Sequence, residues 1–137
     1  MPNMTDQTRV NSILNWIFTS GSLPTEPTAH HLRLMTAQGS DTSNGTEATA
    51  GNCPGYTAGG VSITYGAASA GVVTSSNTQS WTATGGWATI TAVEDWDTAG
   101  TPLRWLQGAL TASITGVSNG DTVQVATAAV TANASAW

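Results

Sequence analysis

Residues 87–93 read WATITAV. Thr89 and Thr91 alternate with Ala88, Ile90 and Ala92, which puts hydroxyls on one face and apolar groups on the other. A period of two is the signature of a half-buried β-strand. The same rhythm extends both ways along the chain. Upstream, Val61, Ile63 and Tyr65 alternate, Val72 and Val73 form a short apolar patch, and Trp81 opens a strand ahead of Gly85-Gly86. Downstream, Glu94 to Pro102 reads as a turn-rich link, followed by strands at Leu103–Leu106 and Leu110–Val117. Asn119-Gly120-Asp121 is a hairpin-turn signal, and Val123 to Val130 closes the series. Nearer the start, Ala29 to Thr36 predicts a further strand. There His30, Leu32 and Leu34 face one way, and His31, Arg33 and Met35 the other. Short strands, regular turns and abundant Thr predict a mainly β chain, a jelly-roll-like antiparallel β-sandwich.

One helix precedes it. Over residues 5–19, Val10, Ile13, Leu14 and Ile17 form a single apolar stripe, which Trp16 and Phe18 widen. Thr5 or Asp6 caps its start; Gly21 and Pro24 stop it. That stripe must dock, either on the chain's own sheet or on a neighbouring subunit. The organisation expected is therefore a helical segment over 1–23 and a β-sandwich domain over 24–137. Residues 37–60 interrupt the sandwich with six glycines and Pro54, but few aliphatic residues. A loop of that length predicts a functional arm or a partner-facing surface, with Tyr56 and Cys53 ordering it.

Composition narrows the function. Charged residues are 8% of the 137 positions, against roughly 25% in an ordinary soluble domain. Arg9, Arg33 and Arg104 are the whole basic complement, and the net charge is −5. Nucleic-acid binding needs a basic surface, and most catalysis on polar substrates needs charged groups held together. Neither is indicated. No nucleophile, phosphate-loop or zinc-protease motif is present, and no stretch approaches the roughly 18 apolar residues that span a bilayer. Met1 to Arg9 does not read as a signal peptide. His30 and His31 are adjacent, so in a strand they point apart and cannot share a metal. Glu94, Asp95 and Asp97 form the one acidic cluster; their spacing fits no calcium loop, and they read as a solvated turn. No enzyme activity, cofactor or metal is expected. Lone Cys53 reads as a small structural thiol.

Contact residues are easier to nominate. Of six tryptophans, Trp81, Trp87 and Trp105 fall in predicted strands and read as core. The partner-contact candidates are Trp137, Trp96, Tyr56, Trp16 and Phe18.

Four stretches carry a resemblance: NSILNWIF (11–18), HLRLMTAQGSDTSNGTE (31–47), WATITAVEDWDTAGTPLRWLQGAL (87–110) and VSNGDTVQVATAAV (117–130). Together they resemble a family of small bacteriophage virion proteins, of the head-decoration, minor capsid or tail-fibre-like kind. GNCPGYTAGG (51–60) departs from that pattern. The resemblance implies a sandwich on the virion surface and carries no catalytic residues. The expectation is a capsid decoration or minor capsid protein, made in the host cytoplasm. It binds the major capsid protein and copies of itself as a homo-oligomer such as a trimer, with no nucleic acid or membrane partner. The alternatives are a tail-fibre or tail-tip module touching the host surface, and a carbohydrate-binding domain that uses exposed tryptophan.

Overall fold

The computed structural model describes residues 7–22, 25, 27 and 29–133. Its centre is an antiparallel sheet of three long strands: β1 (His30–Ala37), β6 (Ile90–Asp97) and β7 (Arg104–Ile114). β6 lies between the other two, and β7 is an edge strand. On its far side β1 pairs first with β3 (Val61–Ile63), through Leu32↔Val61, and then with β2 (Thr46–Glu47), through Met35↔Glu47. Two further pairs complete the β structure. They are β4 (Val72–Thr74) with β9 (Thr131–Asn133) and β5 (Gln79–Thr82) with β8 (Thr122–Val125), all antiparallel. The mainly β expectation holds.

The core follows from alternation. Leu32 and Leu34 of β1 and Ile90 and Val93 of β6 pack with Trp81 of β5 and Val123 and Val125 of β8. Trp87 also enters the core, from just ahead of β6, and its indole N–H donates to the Pro54 carbonyl at 2.8 Å. Trp105 does not; it is half-buried on β7.

Three expectations about the chain path change. Glu94 to Asp97 is strand rather than link, because β6 runs on to Asp97. The two predicted strands at 103–106 and 110–117 are one, β7, whose register against β6 shifts between Ile90 and Ala92 and again between Asp95 and Trp96. Asn119-Gly120-Asp121 does turn the chain: Gly120 has φ 91°, and Asp121 N–H donates to the Ser118 carbonyl at 3.1 Å. It makes no hairpin, since β8 pairs with β5 instead of β7. Two-residue turns are read locally, whereas the partner of a strand is a tertiary choice.

The 37–60 loop is not an arm. Ala48, Cys53 and Tyr56 from it are core residues. Between the end of β3 and the start of β2, β1 has exposed backbone groups to satisfy, and the loop supplies them. Leu34 donates its N–H to the Tyr56 hydroxyl at 3.3 Å, and its carbonyl accepts from Ala48 N–H at 2.9 Å. The Tyr56 hydroxyl in turn donates to Glu47 Oε1 at 2.8 Å. Burial, the Glu47 hydrogen bond and its charge together push the Tyr56 phenol far above its ordinary range. Tyr56 is therefore a pillar of the fold, not a partner contact. Gly60 (φ 73°) lets the loop press against β1, because a Cβ there would collide with the Leu32 carbonyl. Tyr56→Phe is expected to cost about 1–3 kcal/mol, the usual penalty for stranding a buried polar partner. Chemical denaturation measures it.

The helix α1 (Gln7–Phe18) ends as the sequence suggests, but one residue early. Ser20, not Gly21, takes the left-handed conformation (φ 57°), and Gly21 N–H reaches back to the Asn15 carbonyl at 3.2 Å. The Asn15 carbonyl also accepts from Thr19 N–H at 2.9 Å, so the turn closes on one carbonyl. Pro24 and the proposed caps Thr5 and Asp6 lie outside the described residues. Of the two docking partners expected for the apolar stripe, the chain's own sheet does not cover its outer part. Leu14 is 40%, Ile17 54% and Phe18 76% exposed. Among the described residues no helix is long and apolar enough to cross a membrane.

Candidate functional site

Two polar clusters flank β6, and strand alternation separates them. Glu94 and Trp96 point to one side of the sheet, Asp95 and Asp97 to the other.

The first cluster is structural. Glu94 and Arg104 are both about 1% exposed and pair at 3.0 Å. Glu94 Oε1 also accepts from Gly45 N–H at 2.7 Å, and Oε2 from the Trp96 indole at 3.0 Å. Arg104 donates further to the carbonyls of Ser43 at 2.8 Å and Ser40 at 2.6 Å. The pair thus pins the 40–45 turn to the sheet. Trp96, nominated as a contact, is held by Glu94 and by the Arg33 guanidinium, 4.4 Å above its ring. Arg33 reaches Glu47 at 3.2 Å.

The second cluster opens to solvent. On the core face of the sheet, register pairs His30 with Asp97 and Leu32 with Asp95. His30 Nδ1 lies 2.8 Å from Asp95 Oδ2, which also accepts from the Tyr65 hydroxyl at 3.1 Å. Tyr65 and Trp105 meet the imidazole edge-on, with ring centroids 5.5 and 6.1 Å away. The Trp105 indole donates to Asp97 Oδ2 at 3.1 Å, and Arg9 of α1 lies 4.8 Å over the Trp105 ring. Every ring is therefore fixed by a carboxylate behind it. In front lies an open pocket of about 580 Å³, lined by Pro27, Ala29, His30, Ser62, Ile63, Thr64, Tyr65 and Trp105.

Electrostatics follow from the geometry. The Asp95 hydrogen bond raises the His30 pKa, against the opposing effect of burial, and the charges of Asp95 and Asp97 add to the rise. Burial pushes Asp95 up, and the contacts from His30 and Tyr65 offset this only in part. Its Oδ1 is buried with no donor among the described residues. Burial pushes Asp97 up too, but N–H donors from Leu103, Trp105 and Ala99, with the Arg9 charge, bring it below the ordinary carboxylate value. Tyr65 is raised by burial and by Asp95.

A pH dependence follows. A histidine raised on folding stabilises fully below its unfolded value and loses that contribution as pH rises through the folded one. The melting temperature is expected to fall as pH climbs from near 6.5, the ordinary imidazole value, into mild alkali. Thermal melts of His30→Gln should lack that decline. Asp95, Asp97, Tyr65 and Trp105 surround the ring; an unchanged slope in the variant would refute the assignment.

The sequence-nominated contacts are scattered. Trp16 and Phe18 are exposed on α1, at 45% and 76%. Trp96 is half-buried, Tyr56 is in the core, and Trp137 lies outside the described residues. The acidic cluster is not a solvated turn: Glu94, Asp95 and Asp97 are at most 5% exposed. Among the described residues no three His, Cys, Asp or Glu side chains are placed to hold a metal ion. The pocket went unforeseen. Its one local hint was the parity that set His30 beside Leu32 and Leu34.

A family model described as podophage GP4 fiber I protein gp80 matches residues 3–133. The chain belongs to this family. It is thus a small bacteriophage virion structural protein, as the resemblance implied, and of the tail-fibre-like kind among those the resemblance left open. No curated protein matches the chain. In this fibre family member, the pocket and the outer face of the helix are among the features that the described residues leave turned outward.

Proposed function

We propose that the chain is a non-catalytic subunit of a virion fibre, one that associates with copies of itself and touches the host-cell surface. The observation that carries this reading is the match to a fibre family over nearly the whole chain. It favours the tail-fibre alternative over capsid decoration. The distribution of charge supports it. The strongest carboxylate contacts are spent inside, on Arg104, His30 and backbone donors. That leaves an outer surface of hydroxyls, amides and apolar groups suited to contact rather than to chemistry.

Self-association is supported by two uncovered apolar features on one chain. Leu14, Ile17 and Phe18 form an exposed stripe on α1. Along edge strand β7 runs an open groove of about 560 Å³, walled by Val93, Leu110, Ile114, Val125 and Val130 and free of charged residues. Different patches meeting between copies give a head-to-tail contact, the type that builds rings or filaments. A subunit of an elongated fibre needs such a contact.

Immunogold labelling of intact particles tests location. Label at the tail appendages, in few copies, is the expected result; label spread over the head in hundreds of copies would restore the capsid-decoration reading. Blocking of phage adsorption by the purified chain tests host contact, and failure to block at saturating concentration refutes it. Ile17→Asp and Phe18→Asp should lower the sedimentation coefficient if the helix joins copies. An unchanged value removes the helix from the interface.

A further inference from the structure

We infer that the outer face of α1 on one copy seats in the β7 groove of the next. The inference rests on the self-association reading above and names the two surfaces that meet.

The helix supplies the protruding half. Gln7, Asn11, Leu14 and Phe18 follow one another at spacings of four and three, so they share a face, and all four are exposed. The first turn holds the helix to the body, through Gln7 N–H on the Asp41 carbonyl at 3.1 Å and Arg9 over the Trp105 ring. The exposed face starts polar, at Gln7 and Asn11, and ends apolar, at Leu14 and Phe18 with Ile17 beside them. A helix covered on one side only keeps its outer face polar. Among the described residues the exposed large hydrophobics are Leu14, Trp16, Ile17, Phe18 and Leu103, and all but Leu103 lie on this helix end.

The groove supplies the receiving half. Gly108, Ala109, Ala112, Ala126 and Ala129 line it beside the larger side chains, and no residue of α1 does. Facing layers interdigitate when small residues on one side meet bulky ones on the other. Neither surface carries charge: residues 10–18 hold no ionisable side chain, and neither does the groove lining. Two copies with a net charge of −5 each repel one another, least where both faces are neutral. A charged partner segment would lose its water in the groove and find no counter-charge there.

Strand addition is the competing way to fill a groove beside an edge strand. β7 is poorly made for it. Ile90 pairs with Ile114 and Ala92 with Ala109, so Thr91 alone stands opposite residues 110–113. A bulge of that size breaks the ladder that an added strand would continue. A helix satisfies its own backbone and asks the groove only for side-chain room. Each copy then offers one helix face and one groove, and the contact runs head-to-tail.

Sedimentation velocity on the full chain tests this. Phe18→Asp spoils the helix face and Ala112→Trp fills the groove. Both positions are exposed, and thermal melts check that each variant folds. Leu14→Asp and Ala129→Trp replace a variant that does not. Wild type is expected to associate as concentration rises, and each variant alone to run as a monomer. An equal mixture of the two should form a heterodimer and nothing larger, because one intact helix meets one intact groove. Association of Ala112→Trp alone would mean that helices pair with helices; association of Phe18→Asp alone, that the groove takes a strand. Either result, or a mixture that stays monomeric, overturns the inference while self-association stands. A wild-type chain that stays monomeric at every concentration overturns both.

Discussion

Arg104→Leu is expected to destabilise the protein by about 3–5 kcal/mol, the usual consequence of leaving a buried charge without its partner. Glu94 would keep two donors, Gly45 N–H and the Trp96 indole, but lose its counter-charge. The carbonyls of Ser40 and Ser43 would lose the guanidinium that spans them. Arg104→Lys should recover only part of the loss. An ammonium is a point donor and cannot reproduce a planar fork that serves a carboxylate and two carbonyls together. Equilibrium urea unfolding gives the magnitude. Amide exchange gives the place: the 40–45 turn should lose protection first, since that turn is what the pair holds. A variant within about 1 kcal/mol of wild type would mean that the desolvation cost of the pair cancels its attraction.

Trp81→Ala should cost about as much, roughly 3–5 kcal/mol, by opening a cavity that its neighbours cannot fill. Trp81 is 4% exposed and lies near-parallel to Tyr56, with ring centroids 6.4 Å apart. It also packs within the cluster that joins β1 and β6 to β5 and β8. Removing it weakens the seam between the main sheet and the β5–β8 pair, so one change acts on both. Trp16→Ala is the contrasting experiment. At 45% exposure on the helix, it should fall within about 0.5 kcal/mol of wild type, as surface changes usually do. Equal losses at the two tryptophans would contradict the packing described.

These two sites also mark where sequence reasoning stops. The role of Trp81 was legible, because an aromatic residue in a short strand bounded by glycines has little to do except pack. The Arg104–Glu94 pair was not. Carboxylates are rarely buried, so three of them within four residues read as a solvated turn. Only a partner can overrule that prior, and the partners lie at Arg104, across the β6–β7 pairing, and at His30, on another strand altogether. In the loop at 37–60, the ordering by Cys53 and Tyr56 was legible, and both are core residues. Its glycines indicate turns, but nothing local indicates that Tyr56 completes the hydrogen bonding of β1 at Leu34. The helix is a different case. Its stripe was legible, but which of its two possible partners covers it, the chain's own sheet or a neighbouring subunit, is not a local property.

The sequence by itself determined the fold class of the protein. Alternation of period two, one helical stripe and turn residues lead to a mainly β chain with one helix, because each depends on residues a few positions apart. The tertiary structure decided which strands pair, which acids are buried and where an open pocket forms. Those outcomes depend on residues such as His30 and Asp95, which lie 65 positions apart. No local spacing encodes their meeting. Sheet register brings them together, and register is set by which faces the whole core must bury.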